Sequence, residues 1–379
     1  MQKRYQLANI AFILILLVLF GCSSKIATKT KPIEVKKAKK TMPKKQVTFD
    51  KPYYKGISYP AYNAKVYLKA ESDREIRRIA STGANTIALV PLWYTTNLTQ
   101  SDIHPEPEDT ATDASLIHAI KLSHSLGIKV NLKPFVDPKT GGTWRAKYHP
   151  KNWQEWFNNY NVFIKHYATI AQQNGVELLT IGTEYTSSDG VREANWREVI
   201  KNVRNIYKGK ITYAADYQDI KSDGPPYRGG YRNIRFWDAL DYIGIDGYFP
   251  LAKKPGESKP QLVARWQKWI FELENWGWVK EQKKQIIFTE IGYGSYPGTT
   301  VDTGHWDRKT TTVSLSEQAN AYEAVFVAFE KKPWFAGMYW WAWDNPSTFD
   351  WKPHIRKFFF TPKGKPAERV LHQWFKKTN

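Results

Sequence analysis

Cysteine is nearly absent: among 379 residues there is one, Cys22. A chain with a single cysteine forms no internal disulfide and offers no cysteine cluster to a metal, so its core is held by packing alone. The eight histidines are scattered. His118 and His124 lie six apart on one helical pattern, which is not metal-ligand spacing on a shared face. There is no Gly-x-Ser-x-Gly elbow and no P-loop. Gly56-Ile57-Ser58-Tyr59-Pro60, in the first strand candidate, lacks the glycine spacing of a dinucleotide-binding turn. Asp137-Pro138-Lys139-Thr140-Gly141-Gly142 is turn chemistry rather than a calcium loop. No metal and no cofactor are expected.

Long apolar runs are missing outside the N-terminus. There, Lys3-Arg4 precedes the run Ile10–Phe20, and Gly21-Cys22 closes it. A charged start, an apolar stretch short of the roughly 20 residues a membrane span needs and a processing site describe an export signal over residues 1–21. Leu19-Phe20-Gly21-Cys22 resembles a bacterial lipobox, which would make Cys22 the lipidated first residue of a mature, membrane-anchored protein at the cell surface or in the periplasm. An uncleaved signal anchor is the alternative, and it too exports the chain. Acidic residues are scarce in the adjoining segment: residues 22–51 carry ten Lys against Glu34 and Asp50. Like charge with little hydrophobicity does not offset the entropy of ordering, so this tether is expected to be disordered. It is either a plain linker or a cationic stalk over an anionic surface, each Lys adding on the order of 1 kcal/mol.

The remainder, residues 52–379, holds 44 basic and 34 acidic residues, a net charge near +10. With export and no recognisable binding motif, nucleic acid is not an expected partner. An acidic ligand stays open, and a monomer is expected. What the chain has in abundance is aromatic: 17 Trp, 22 Tyr and 18 Phe. Flat aromatic faces suit the apolar faces of sugar rings, and Trp is seldom exposed without a purpose. Trp93, Trp144, Trp340, Trp341 and Trp343 fall at or just past predicted strand ends.

From Tyr53 onward, short β-branched runs alternate with amphipathic ones. Strands are predicted at 54–59, 84–90, 128–135, 177–183, 210–216, 241–247, 285–290 and 336–342. Helices are predicted near 69–82, 112–126, 152–174, 193–207, 233–240, 260–281, 316–331 and 366–377. This alternation implies βαβ units and a parallel sheet. Eight units with no linker-like break and no internal repeat fit one (β/α)8 barrel, an α/β fold in a single domain. Active sites of such barrels sit where the strands end.

Two of the predicted strands end in glutamate: Gly182-Thr183-Glu184 closes the fourth and Phe288-Thr289-Glu290 the seventh. A glutamate closing a buried run is costly unless it is paired or faces a wet cleft. Strands four and seven lie across the barrel mouth, so Glu184 and Glu290 can converge on one sugar ring. Glycoside cleavage needs an acid for the leaving oxygen and a second carboxylate at the anomeric carbon. Burial and a neighbouring negative charge raise the acid's pKa in the required direction.

The ordered set Tyr54-Lys55-Gly56-Ile57-Ser58-Tyr59, Leu132-Lys133-Pro134-Phe135, Gly182-Thr183-Glu184, Phe288-Thr289-Glu290-Ile291-Gly292-Tyr293, Trp340-Trp341-Ala342-Trp343 and Phe360-Thr361-Pro362-Lys363-Gly364-Lys365-Pro366-Ala367-Glu368 resembles glycoside hydrolase family 113. This is a family of the large clan A of retaining (β/α)8-barrel hydrolases. The resemblance runs from about Tyr53 to Lys377. It implies a β-mannanase working without metal by retaining double displacement, with Glu184 as acid/base and Glu290 as nucleophile. Much of the clan has Asn before the acid/base, where it holds the sugar 2-hydroxyl; here Thr183 stands instead.

Around these, Tyr248, just past the sixth strand, either hydrogen-bonds the nucleophile or is a packing tyrosine, and Trp341 or Trp343 is expected to serve as a sugar platform. Successive strand residues alternate between faces, so one of the aromatics there belongs to the core. Trp93, Trp144 and Arg145 either line outer subsites or pack loops. Lys133 and Asp216 are read as an ion pair inside the barrel top. The expected partner is a β-linked polysaccharide, β-1,4-mannan or glucomannan, cleaved by endo action. A surface glycan-binding lipoprotein on a hydrolase scaffold, or a hydrolase of another and possibly acidic β-glycan, are the alternatives.

Overall fold

A computed structural model of the chain describes residues 53–377, apart from 141–143, 219–228, 279–283, 306–309, 311 and 346–355. The export signal, Cys22 and the basic tether lie outside the described residues. Eight strands, all parallel to their neighbours, close into one barrel. They are β1 (Tyr54–Pro60), β2 (Thr86–Val90), β4 (Lys129–Leu132), β6 (Leu178–Thr183), β7 (Lys210–Asp216), β8 (Ile243–Asp246), β9 (Ile286–Ile291) and β10 (Phe335–Trp340). The ring shuts where β1 pairs with β10, from Tyr54 opposite Gly337 to Ile57 opposite Trp340.

Two further strands, β3 (Leu92–Thr95) and β5 (Phe135–Pro138), pair with each other as a separate two-stranded sheet. The predicted strand 128–135 is therefore two strands, and the second predicted strand has a successor of its own. Proline explains both breaks. Pro91 separates β2 from β3 and Pro134 lies between β4 and β5, and proline has no N–H to give a ladder. The chain bends out at each and resumes pairing above the barrel rim.

The outer layer holds α1 (Ala70–Ser81), α2 (Asp113–Ser125), α3 (Trp153–Gln173), α5 (Glu193–Ile206), α6 (Lys259–Leu273), α7 (Leu315–Phe329) and α8 (Pro366–Phe375); the four-residue α4 (Thr186–Asp189) follows β6. Caps fix several starts. Thr112 accepts from the Ser115 N–H, Asn152 accepts from the Glu155 N–H, and Ser258 forms a capping box with Gln261. The helix predicted over 233–240 is instead one 3-10 turn, Trp237–Ala239. Its buried Phe236, Trp237 and Leu240 anchor the segment directly, and so short a helix has little stability of its own.

The barrel interior changes character along its length. The end where the strands begin is packed with Tyr54, Leu178, Tyr242, Ile287 and Tyr339. Tyr54 donates to the Tyr242 hydroxyl at 3.2 Å, and the Tyr339 and Thr86 hydroxyls meet at 3.1 Å. Gly56 makes room for this layer: a Cβ there would lie 2.3 Å from the Tyr339 ring. Further along, Thr180 donates to Asn131 at 3.0 Å, and five of the eight strands end at or beside a charged residue: Lys133, Glu184, Asp216, Asp246 and Glu290. Many of the tryptophans pack between barrel and helices. Trp156, Trp196, Trp237, Trp266, Trp340 and Trp343 are fully buried, so the high aromatic content is first a packing feature.

Candidate active site

Glu184 follows β6 directly, and Glu290 lies in β9. Both are nearly buried, 8% and 5% exposed. Glu184 is the one non-glycine residue at positive φ among those described, at +53°, a left-handed conformation that costs roughly 1–2 kcal/mol. Strand β7 holds the amides on both sides of it. The Glu184 N–H donates to the Ala214 carbonyl at 2.8 Å, and the Tyr185 N–H to the Tyr213 hydroxyl at 3.0 Å. The pairing of β6 with β7 shifts register between Thr180 and Thr183, so the strand leaves its regular path just before the glutamate.

The two carboxyls have unlike surroundings. Oε2 of Glu184 accepts from Trp144 Nε1 at 2.9 Å and Arg145 Nη1 at 3.1 Å. Arg145 also grips Asp137 with two bonds, of 2.7 and 3.1 Å, and its guanidinium lies 4.1 Å from the centre of the Phe135 ring. Phe135 in turn stacks with Trp341 at 6.0 Å and 15°. On Glu290, Oε1 accepts from Lys133 Nζ at 2.6 Å and Oε2 from the Tyr248 hydroxyl at 2.7 Å. Both oxygens are thus acceptors, the role an ionised carboxylate fills. Lys133, fully buried, reaches Asp246 as well, at 3.1 Å, and Asp246 accepts from Thr289 at 2.7 Å.

Burial raises the pKa of Glu184; Arg145 opposes the shift and the charge of Glu290 adds to it. Burial also pushes Asp246 well up, helped by Glu290 and opposed by Lys133. Asp216, at the end of β7, is raised well above its ordinary value by burial and then by Glu184. A carboxyl whose burial favours its protonated form, paired with one whose two oxygens both accept hydrogen bonds, is what acid-assisted displacement at a sugar requires. Among the described residues, no group of three or more His, Cys, Asp or Glu is arranged to hold a metal ion.

The family model for Glycoside Hydrolase Family 113 matches residues 57–360. The chain belongs to this family. It is a glycoside hydrolase. Among solved structures, the hydrolase is similar to the GH113 β-mannanase AaManA from Alicyclobacillus acidocaldarius in complex with ManMIm. That pair has 27% identity and a TM-score of 0.73 over 87% of this chain and 99% of the other. A GH113 β-1,4-mannanase is similar at 28% identity and a TM-score of 0.70, over 86% and 99%. The Ruminococcus gnavus β-glucuronidase, at 14% identity and a TM-score of 0.55 over 86% and 51%, shares the fold alone. No curated protein sequence matches the hydrolase.

The structure of the hydrolase sorts the other expected site residues. Tyr248 meets Glu290, as its place just past strand six led one to expect. Trp144 and Arg145 sit at Glu184 itself rather than at outer subsites. Trp341 is partly exposed and stacked beside the cleft. Trp343 is fully buried and donates to Glu75 at 2.8 Å, so it offers a sugar no face. Trp93 packs against Phe163, His166 and Tyr167 of α3, with centroids 5.5 to 6.2 Å away, a loop-packing residue. Lys133 pairs with Asp246 and Glu290, not with Asp216, because β8 and β9 end in facing carboxylates. Thr183 is fully buried and its hydroxyl has no partner among the described residues, so in this geometry it does not reach a sugar hydroxyl. The sequence reading missed Phe135 and Asp137 as site residues. Their signal was present: they follow a strand-ending Lys-Pro in the very loop where a barrel builds its site.

Proposed function

We propose that the hydrolase cleaves β-1,4-mannan or glucomannan by endo-acting, retaining double displacement, with Glu184 as acid/base and Glu290 as nucleophile. The observation that carries this reading is the contrast between the two carboxyls. Glu184 is buried and pushed towards its protonated form. Glu290 has an ammonium on one oxygen and a phenol on the other. In the first step Glu184 gives its proton to the glycosidic oxygen as Glu290 Oε attacks the anomeric carbon and the leaving sugar departs. In the second, Glu184 takes a proton from water, which attacks the same carbon and releases Glu290. The β-mannanase activity named for two similar structures supports the choice of sugar.

A neutral polymer is favoured over an acidic one by the site's own charges. Lys133 and Arg145, the cations that touch the two glutamates, are each committed to two carboxylates. Incubation with a panel of β-linked polysaccharides, followed by NMR of the first-formed anomer, tests the reading. Release of β-anomeric manno-oligosaccharides, abolished in Glu290→Gln, agrees with it; α-anomeric product refutes retention. Cleavage confined to acidic polymers refutes the sugar.

We also propose that the protein is exported and tethered through a lipid on Cys22, on the lipobox resemblance and the basic stretch after it. Growth with a labelled fatty acid tests this: label on the wild-type protein, lost in Cys22→Ala, agrees with it, and a wild-type protein that takes up no label refutes the anchor.

A further inference from the structure

Behind Glu184, on the side away from the cleft, lies a chain of buried groups that the two-step mechanism does not use. Tyr213 projects outward from β7, its ring wedged against Trp196 at 5.1 Å and Phe236 at 5.5 Å. Its hydroxyl accepts the Tyr185 N–H at 3.0 Å and donates to Asp189 Oδ2 at 3.1 Å. Asp189 is itself 1% exposed. Gly182, two residues before the glutamate, lies flat on the same ring, where a Cβ would stand 2.5 Å from it.

The peptide that Tyr213 holds is the one that leaves Glu184. A glutamate at a φ of +53° persists only where its surroundings over-determine the backbone. The Ala214 carbonyl fixes the amide before its Cα, and the Tyr213 hydroxyl fixes the amide after it. We propose that Tyr213, held in turn by Asp189, is a positioning residue for the acid/base: it locks the left-handed turn that aims the Glu184 carboxyl at the glycosidic oxygen. This rests on the assignment of Glu184 as acid/base. Tyr213 touches no substrate and acts through the backbone alone.

The test compares substrates that need the acid with substrates that do not. Tyr213→Phe keeps the ring and removes the hydroxyl. On a manno-oligosaccharide, whose leaving group must be protonated, kcat/KM is expected to fall roughly 10- to 100-fold, the scale of a misplaced catalytic group. On 2,4-dinitrophenyl β-mannobioside, whose leaving group departs unaided, kcat/KM should fall less than about threefold, since the acid's contribution is not called on there. Azide should restore kcat on that substrate and yield the β-glycosyl azide. It attacks the glycosyl–Glu290 ester and expels the carboxylate with no proton to remove. Asp189→Leu, which leaves the Tyr213 hydroxyl without its acceptor, should give the same pattern.

Tyr160→Phe is the control for a merely structural loss. It deletes a buried tyrosine hydroxyl bonded to the same strand, at the Ile181 carbonyl, 2.8 Å away, and should leave the ratio between the two substrates unchanged. Equal losses on both substrates in Tyr213→Phe, or a changed ratio in Tyr160→Phe, overturn the inference and leave the function standing. A wild-type protein that turns over neither substrate overturns both.

Discussion

Arg145 sets how firmly Glu184 holds its proton, because its positive charge opposes the upward shift that burial imposes. Arg145→Gln removes that opposition. The acid then keeps its proton to higher pH, and the alkaline limb of the kcat/KM profile moves upward; a limb that moves down contradicts the electrostatic role. Glu184→Gln removes the proton altogether and should lower kcat/KM on polysaccharide by about 10²–10⁴-fold, the usual worth of general acid catalysis. Tyr248→Phe takes one donor from Glu290. A hydrogen bond to a charged group is worth about 1.5–3 kcal/mol, so kcat/KM should drop by about ten- to a hundredfold with the fold intact by circular dichroism. The two glutamates and Tyr248 were legible in the sequence because each ends or follows a strand. The partners of Lys133 were not. Sequence places a residue at a strand end but does not say which neighbours around a closed ring its side chain will reach, and a four-carbon stem reaches several.

The eight barrel strands and seven of the eight expected helices were legible for a plain reason: buried β-branched runs and amphipathic runs have different periods. The small sheet of β3 and β5 was not, although its cause stood in view. Pro91 and Pro134 interrupt apolar runs that read as continuous, and pairing above the rim is long-range. That sheet carries Phe135 and Asp137, which hold Arg145, so the surroundings of Glu184, the proposed acid/base, depend on an element outside the barrel. The close fit at the other end of the strands makes its own prediction. Gly56→Ala drives a Cβ into the Tyr339 ring, which the Thr86 hydroxyl holds in place. Overpacking of this kind costs about 1–3 kcal/mol. The urea midpoint should fall with its slope unchanged, and an unaltered midpoint would mean that the tyrosine layer yields easily.

Burying a carboxyl makes the stability of the molecule depend on pH. Burial pushes Asp189 from its ordinary 3.8 up to about 7. The folded state therefore keeps a proton that the unfolded chain has lost between about pH 4 and 7. The stability this confers is complete below pH 4 and is lost as pH rises to 7. Asp189→Asn has no such loss. Relative to the parent, its unfolding free energy should rise with pH, by up to about 4 kcal/mol between pH 4 and 8. Urea unfolding at both ends of the range measures this, and parallel curves for the two proteins would refute it. The ends of the barrel domain also bear on its use. Lys55 Nζ donates to the carbonyls of Phe375, at 2.7 Å, and Lys377, at 2.9 Å. The first strand thus begins beside the last helix's end, on the face where strands start, while the glutamates occupy the face where they finish. A bead, a fusion partner or a fluorescent label coupled near Tyr53 or Lys377 sits at the opposite pole from the two glutamates and leaves the approach to them open.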